Sequence, residues 1–156
     1  MSENSITPFL TRRSVLGMGA GAVLVSSLPI AAYAEQSDLD AAIFELFGDR
    51  PIEDGNVTLT LPPISENGFS VPLTVDVDSP MTAEDHITQI AVFSPRNPLA
   101  DIARFKLGPR AGRASVSARI RLAGTQVITA VAETSQGRLL RGQAETVVTL
   151  AACVIL

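Results

Sequence analysis

The sequence has one cysteine, Cys153, one histidine, His86, and no tryptophan among 156 residues. A lone thiol excludes an internal disulfide framework, which exported domains build from paired cysteines. One histidine and one cysteine leave too few ligands for a metal centre of the cysteine- or histidine-rich kind. There is no glycine loop to cradle phosphate, no nucleophile-elbow pattern and no paired-carboxylate signal. The chemistry of the chain therefore concentrates on the thiol, which stands three residues before the last one.

What is present begins with a targeting segment. Thr11-Arg12-Arg13-Ser14-Val15-Leu16 is a twin-arginine pattern, residues 14–34 carry no charge, and Ala32-Tyr33-Ala34 supplies a small-residue cleavage site. A stretch of that length can also span about 30 Å of bilayer as a permanent helix. Gly17, Gly19, Gly21, Ser26, Ser27 and Pro29 keep it only mildly apolar. Cleavage after Ala34, export by the twin-arginine pathway to the periplasm and no stable membrane anchor are the expectations. The segment carries Glu3, Arg12 and Arg13, a net +1 out of the chain's −4, so the remaining 122 residues carry −5. That balance disfavours nucleic acid as a partner. The remaining length suffices for one domain with its own core.

A short acidic helix is expected next. Ser37 can cap it, Leu39, Ile43, Leu46 and Phe47 share a face, and Gly48 can end it. Residues 49–56 read as a turn-rich link. The pattern then changes to alternation, first at Val57, Leu59 and Leu61, then through Phe69, Val71, Leu73, Val75 and Val77, with Ser65-Glu66-Asn67-Gly68 as the turn between. Pro72 within the second run predicts an edge position or a bulge. Further strands are expected over residues 87–93, 102–107, 114–122, 126–134 and 139–150, with Ser135-Gln136-Gly137 as a hairpin turn. Seven or so short strands and no second helical region predict an all-β, immunoglobulin-like β-sandwich. The organisation is then residues 1–34 as signal, 35–56 as helix and link, 57–150 as sandwich and 151–156 as a C-terminal arm.

Three features are candidates for function. His86, beside Glu84 and Asp85, suggests a metal ligand, but adjacent residues rarely point at one ion, and a surface or capping role is expected. Between residues 104 and 121 stand six cations, Arg104, Lys106, Arg110, Arg113, Arg119 and Arg121, and no acid. They are either solvated faces of two strands and a turn or a face that guides anions or docks a partner. The third feature is the tail Ala151-Ala152-Cys153-Val154-Ile155-Leu156. Its last four residues fit a prenylation box, but that modification belongs to the eukaryotic cytosol, so the match is read as accidental. Cys153 can instead finish the last strand as a small buried hydrophobe. Chain ends are mobile unless tied down, which favours an accessible thiol.

Over roughly residues 57–153 the chain resembles the SoxY sulfur-carrier family of thiosulfate oxidation. The likeness lies in Glu66-Asn67-Gly68, Ser70-Val71-Pro72, Val77-Asp78-Ser79-Pro80-Met81 and Asp85-His86. It continues in Arg96-Asn97-Pro98, Arg113-Ala114, Val116-Ser117, Arg119-Ile120-Arg121-Leu122-Ala123 and Thr129-Ala130-Val131-Ala132-Glu133, together with the near-terminal cysteine. In the thiosulfate-oxidising carriers the cysteine lies between pairs of glycines. Here the tail is closer to SoxY-related paralogues with an Ala-Ala-Cys-Ile-Glu arm. The resemblance implies a carrier rather than an enzyme, with a sulfur group held covalently on Cys153 and no other cofactor. It further implies a SoxZ-like partner subunit and periplasmic enzymes that oxidise or hydrolyse the bound group.

Val154 and Ile155 are branched and stiff, so a tunnel shaped for glycines should reject this tail and an apolar groove or sheet edge should accept it. From Leu150 the thiol reaches about 10 Å at roughly 3.3 Å per residue. No cation stands in the tail, and a thiol of pKa about 8.5 is only a few per cent ionised at pH 7, so activation is left to the partner. The alternative is a non-catalytic periplasmic interaction module whose apolar tail docks on a partner. A thiol peroxidase fits less well, since no resolving cysteine accompanies Cys153.

Overall fold

The computed structural model describes residues 30–152. Most of the expected targeting segment, and Cys153, Val154, Ile155 and Leu156, lie outside the described residues. Helix α1, Ile30–Phe47, opens the described chain. Leu39, Ile43 and Phe47 recur every fourth residue on one face, and all three are buried. Gly48 ends the helix with φ of 70°, its amide donating to the Phe44 carbonyl at 2.8 Å. The start differs from expectation. Ser37 lies inside the helix rather than at its cap, because Ala31, Ala32 and Ala34 are strong helix formers that continue it backwards.

Among the described residues nine strands follow: β1 Ile52–Asp54, β2 Val57–Thr60, β3 Ile64–Ser65, β4 Val71–Val77, β5 Ile87–Phe93, β6 Asp101–Lys106, β7 Ala114–Ile120, β8 Gln126–Thr134 and β9 Leu139–Val148. One sheet runs β1-β9-β8-β5-β6 with β3 added on β9, and the other runs β2-β4-β7. The architecture is the all-β, immunoglobulin-like sandwich that the alternating runs predict. Two strands go beyond the expected set. β1 falls in the segment read as a link, β3 overlaps the segment read as a turn, and both pair in parallel with β9, Ile52 opposite Leu139 and Ile64 opposite Val147. Strands of two or three residues are too short to show alternation.

Pro72 is on the central strand of its sheet, not on an edge strand. β2 pairs only with residues 74–77 of β4, so beyond Thr74 that flank of β4 has no partner and Pro72 meets Arg119 of β7 alone. The missing amide therefore falls where only one neighbour exists.

The larger sheet is covered on both faces. Ile90, Val92, Ile128, Ala130 and Leu140 pack inward against Val71, Leu73 and Val75 of the smaller sheet. Ala91, Phe93, Val131 and Leu139 point outward and are covered by Leu39, Ile43 and Phe47 of α1. Two-sided burial explains why β5 ends in a continuous apolar run rather than alternating.

The two flanks of the sandwich differ. On one, β9 approaches β2 so closely that a side chain at Gly142 would stand 2.1 Å from the Val57 carbonyl oxygen. β1 and β3 further cover the outer side of β9. On the other flank, β6 and β7 each end a sheet and, among the described residues, bond to no further strand.

Candidate functional site: the root of the C-terminal tail

β9 delivers the chain to its end, and residues 149–152 are held by backbone groups. The Thr149 amide donates to the Ser65 carbonyl at 3.1 Å, and its hydroxyl donates to the Glu66 carbonyl at 2.5 Å. The Gly68 amide donates to the Leu150 carbonyl at 2.7 Å, and the Ala152 amide to the Leu122 carbonyl at 3.0 Å. Leu122 in turn donates to the Gly68 carbonyl at 2.9 Å. Three backbone segments therefore meet at Gly68. A Cβ there would lie 2.2 Å from the Leu122 oxygen and 3.1 Å from the Ala152 nitrogen, so the junction needs glycine for space rather than for torsion.

Leu122 is fully buried, and the backbone on both sides of it is clamped by one side chain. The Asn97 amide group donates to the Arg121 carbonyl at 2.8 Å, while its oxygen accepts from the Ala123 amide at 2.9 Å. Asn97 is positioned by its own loop. Buried Gln126 accepts from the Ser94 hydroxyl at 2.8 Å and from the Arg96 amide at 3.1 Å. Its amide group also donates to the Gly124 carbonyl at 3.2 Å. A connected path of hydrogen bonds leads from Gln126 through the 94–98 loop and Asn97 to Leu122 and the tail.

The expected arm is thus shorter at its base. The sequence places Ala151 and Ala152 in an arm leaving the domain at Leu150, whereas the chain is bonded to the sandwich as far as Ala152. The residue after that last bond is Cys153, which falls outside the described residues. Glu66-Asn67-Gly68, Arg96-Asn97-Pro98 and Arg119-Ile120-Arg121-Leu122-Ala123, far apart in sequence, converge on this one junction. Separation along the chain hides this convergence, and its signal in the sequence is the asparagine and glycine inside those segments.

The other candidates lie elsewhere. His86 Nδ1 sits 3.1 Å from the Thr82 carbonyl, and its backbone pairs with Ser135, so it closes the turn before β5. Among the described residues no group of three His, Cys, Asp or Glu side chains is placed to hold a metal ion. Of the six cations, Arg104 and Lys106 lie on β6, Arg110 in the 3-10 turn Pro109–Ala111, Arg119 on β7, and Arg113 and Arg121 just before and just after β7. Arg104 pairs with Asp101, Arg113 reaches Asp76 at 3.2 Å, and Arg119 contacts Ser70. The perturbed carboxylates stand at the opposite end of β9 from the tail. Hydrogen bonds from Arg138 and Arg141 hold Glu53 and Asp54 below their ordinary values. No described helix is long and apolar enough to cross a membrane. Chemically, the junction positions a tail with backbone bonds and offers no charged group of its own between residues 149 and 152.

Compared with known proteins, the chain matches the family model for the sulfur oxidation protein SoxY over residues 43–153. The chain belongs to the SoxY family. Its fold is similar to that of the sulfur carrier protein SoxY from Chlorobium limicola f thiosulfatophilum, at 35% identity and a TM-score of 0.63, covering 74% of this chain and 99% of that one. A superoxide reductase (neelaredoxin) from Ignicoccus hospitalis aligns at 17% identity and a TM-score of 0.53, covering 60% of this chain and 80% of that one. A putative superoxide reductase from Thermotoga maritima aligns at 20% and 0.51, covering 62% and 86%. These last two share the sandwich fold with the SoxY-family chain and nothing further is carried over from them. No curated protein matches the chain.

Proposed function

We propose that this protein is a periplasmic carrier that holds a sulfur group covalently on Cys153 while partner enzymes act on it. The observation that carries the proposal is the family match, which extends through residue 153, on a chain whose tail is anchored one residue earlier. The carrier name of the Chlorobium protein and the single thiol of this chain support the same reading. The twin-arginine segment supports export. Cys153 is the attachment residue, Ala151 and Ala152 form the anchored root, and Val154, Ile155 and Leu156 are the part a partner enzyme must accommodate.

The chemistry asks little of the carrier. The thiol loses its proton, its sulfur bonds to the outer sulfur of a thiosulfate-like anion, and the two electrons released pass to a redox partner. Attack of water on the terminal sulfonate then breaks the sulfur–sulfur bond and releases sulfate, and the persulfide stays on Cys153. A SoxZ-like subunit and hydrolytic or oxidising enzymes are the partners in this scheme. A tail without an activating cation suits it, since the thiol should react only inside a partner's site.

Intact-mass measurement of the exported protein tests the proposal. Adducts of sulfur-containing mass, lost on reduction and absent from Cys153→Ser, are expected from cells oxidising sulfur compounds. An unmodified thiol under those conditions overturns it.

A further inference from the structure

Apolar surface gathers where the tail leaves the sandwich. Among the described residues seven large apolar side chains are exposed, and five of them, Ile64, Phe69, Val127, Val147 and Leu150, stand around the root. Strand register brings them together. Ile64 of β3 lies opposite Val147 of β9, and Val127 of β8 lies opposite Glu145, one diagonal step from Val147. Leu150 and Phe69 follow on the same two segments, since the Gly68 amide is bonded to the Leu150 carbonyl. Ile64 and Leu150 are the most open of the five, at 64% and 60%.

The outer face of the larger sheet differs between its two ends. At one end Val131 and Leu139 are buried under Leu39, Ile43 and Phe47 of α1. At the other, Val127 and Val147 stand on the same face by the two-residue period of β8 and β9, and both are exposed. Exposed apolar residues scattered singly need no explanation, whereas a contiguous group marks a contact surface. The chain carries an occupant of its own. Ala152 is bonded to the Leu122 carbonyl, and the sequence continues Cys153-Val154-Ile155-Leu156, with three large apolar residues in a row. Four residues extend about 14 Å at most, and Leu150 is only two residues before Ala152. The tail can therefore turn back over Leu150 and Phe69. A tether this short gives an effective concentration on the order of millimolar, so even a weak contact is populated. No Lys, Arg, Asp or Glu stands between Thr146 and Leu156, so the tail desolvates no charge in lying down.

We infer that Val154, Ile155 and Leu156 fold back onto the patch of Ile64, Phe69, Val147 and Leu150, so that the tail closes over its own root. The contact itself follows from the patch, the tether and the apolar tail, and its meaning for carriage rests on the carrier reading above. A closed tail keeps Cys153 against the sandwich. An enzyme then draws the thiol out only by offering residues 154–156 a better apolar seat than the patch does, because a partner shifts such an equilibrium by its preference for the open form.

The test is nuclear Overhauser spectroscopy on the exported chain with its isoleucine, leucine and valine methyls labelled. Cross-peaks are expected from Val154, Ile155 or Leu156 to Ile64, Val147 or Leu150. They should vanish in an isotope-filtered experiment on a mixture of labelled and unlabelled protein, since the contact lies within one chain. Ile64→Ser/Leu150→Ser, both at exposed positions, should remove the cross-peaks and bring the tail methyls to free-peptide shifts. Leu99→Ser, exposed on the loop before β6, should leave them unchanged. Val154→Ser/Ile155→Ser/Leu156→Ser uncovers the patch and should bind an anilinonaphthalene dye about threefold more than wild type or better. Tail methyls at free-peptide shifts in wild type would overturn the inference, as would cross-peaks to Ile102 or Ile120 instead, a contact seen only between chains, or equal dye binding by the two proteins. The contact is read without any adduct, so its failure is distinct from that of the carrier reading. A chain with sulfur on Cys153 and a free tail loses the closure alone, and one with a closed tail that never carries sulfur loses carriage alone.

Discussion

Gly68 and Leu122 are joined where the tail leaves the sandwich. The Leu122 amide donates to the Gly68 carbonyl at 2.9 Å, and the place a side chain at 68 would occupy is filled by the Leu122 oxygen, 2.2 Å away. That oxygen is the acceptor for Ala152. Any side chain at 68 must therefore displace backbone, and the displaced atom is the one that anchors the tail. Gly68→Ala is expected to cost about 1–3 kcal/mol, the usual cost of overpacking. Denaturant unfolding reads that loss, and hydrogen exchange should show the Ala152 amide losing protection before the strands do. A variant with wild-type stability and a protected Ala152 amide would contradict the geometry.

Asn97 provides a graded test of the same junction. Asn97→Ala removes a donor to the exposed Arg121 carbonyl and the acceptor of the part-buried Ala123 amide. The expected cost is about 1–3 kcal/mol. Asn97→Asp keeps the acceptor and loses the donor, so it should fall between alanine and wild type. Equal stabilities for the three proteins, measured by thermal melts at neutral pH, would show that the clamp contributes nothing.

Gln126 acts one step further back. Its oxygen is the partner of the Ser94 hydroxyl, which is fully buried. Gln126→Leu keeps the volume and removes the acceptor of the buried Ser94 hydroxyl, at a cost of about 1–3 kcal/mol. Because the 94–98 loop carries Asn97, exchange at Ala123 should rise together with exchange at Arg96. In the double variant Gln126→Leu/Asn97→Ala the losses should not add, since residues of one network couple.

Much of this fold is legible in the sequence. Val71, Leu73, Val75 and Val77 alternate with polar residues and point into the core as read, and β8 spans the expected residues. The helix face Leu39, Ile43 and Phe47 is read correctly because a four-residue period depends on local spacing alone. β1 and β3 escape notice because their pairing with β9 is non-local. The junction at the tail escapes for the same reason. Asn97 and Gly68 look like ordinary loop residues until the fold brings Leu122 between them. Asymmetry between the flanks is equally invisible in a one-dimensional pattern, since Gly142 differs from other strand glycines only in what approaches it.

Acid should loosen β1 selectively. Arg138 donates to Glu53 at 2.5 Å and Arg141 to Asp54 at 2.6 Å, which lowers both carboxyl pKa values through hydrogen bonding, against a smaller opposing effect of desolvation. A depressed folded-state value means that the unfolded chain takes up protons first as pH falls. The contribution is complete above the ordinary values of 4.5 and 3.8 and disappears as pH drops through the lowered ones. Both pairs are exposed, so the effect is confined to the strand they hold. Amide protection in Ile52–Asp54 should stay level from neutral pH down to the carboxylate range and fall below it. Glu53→Gln/Asp54→Asn should begin at the lower protection and show no acid step.

The anchor at Ala152 sets how far the thiol can travel. Counted from the bonded Ala152, a single residue of about 3.5 Å of extended chain leads to position 153, against three residues counted from Leu150. A Gly-Gly insertion between Ala152 and Cys153 adds about 7 Å without disturbing the bonded root. Small thiol reagents should alkylate both proteins at rates within about twofold, because the insertion brings no charge near the sulfur. A bulky polymer-linked maleimide should react markedly faster with the insertion variant, since the two added residues lengthen the chain between the Ala152 anchor and the thiol. Equal rates for the bulky reagent would mean that the bond at Ala152 does not restrain the thiol in solution. Gly68→Ala, which weakens the same anchor, should raise the bulky-reagent rate in the wild-type-length tail. The two routes to a longer reach are independent, and agreement between them would assign the restraint to the Leu122–Ala152 bond.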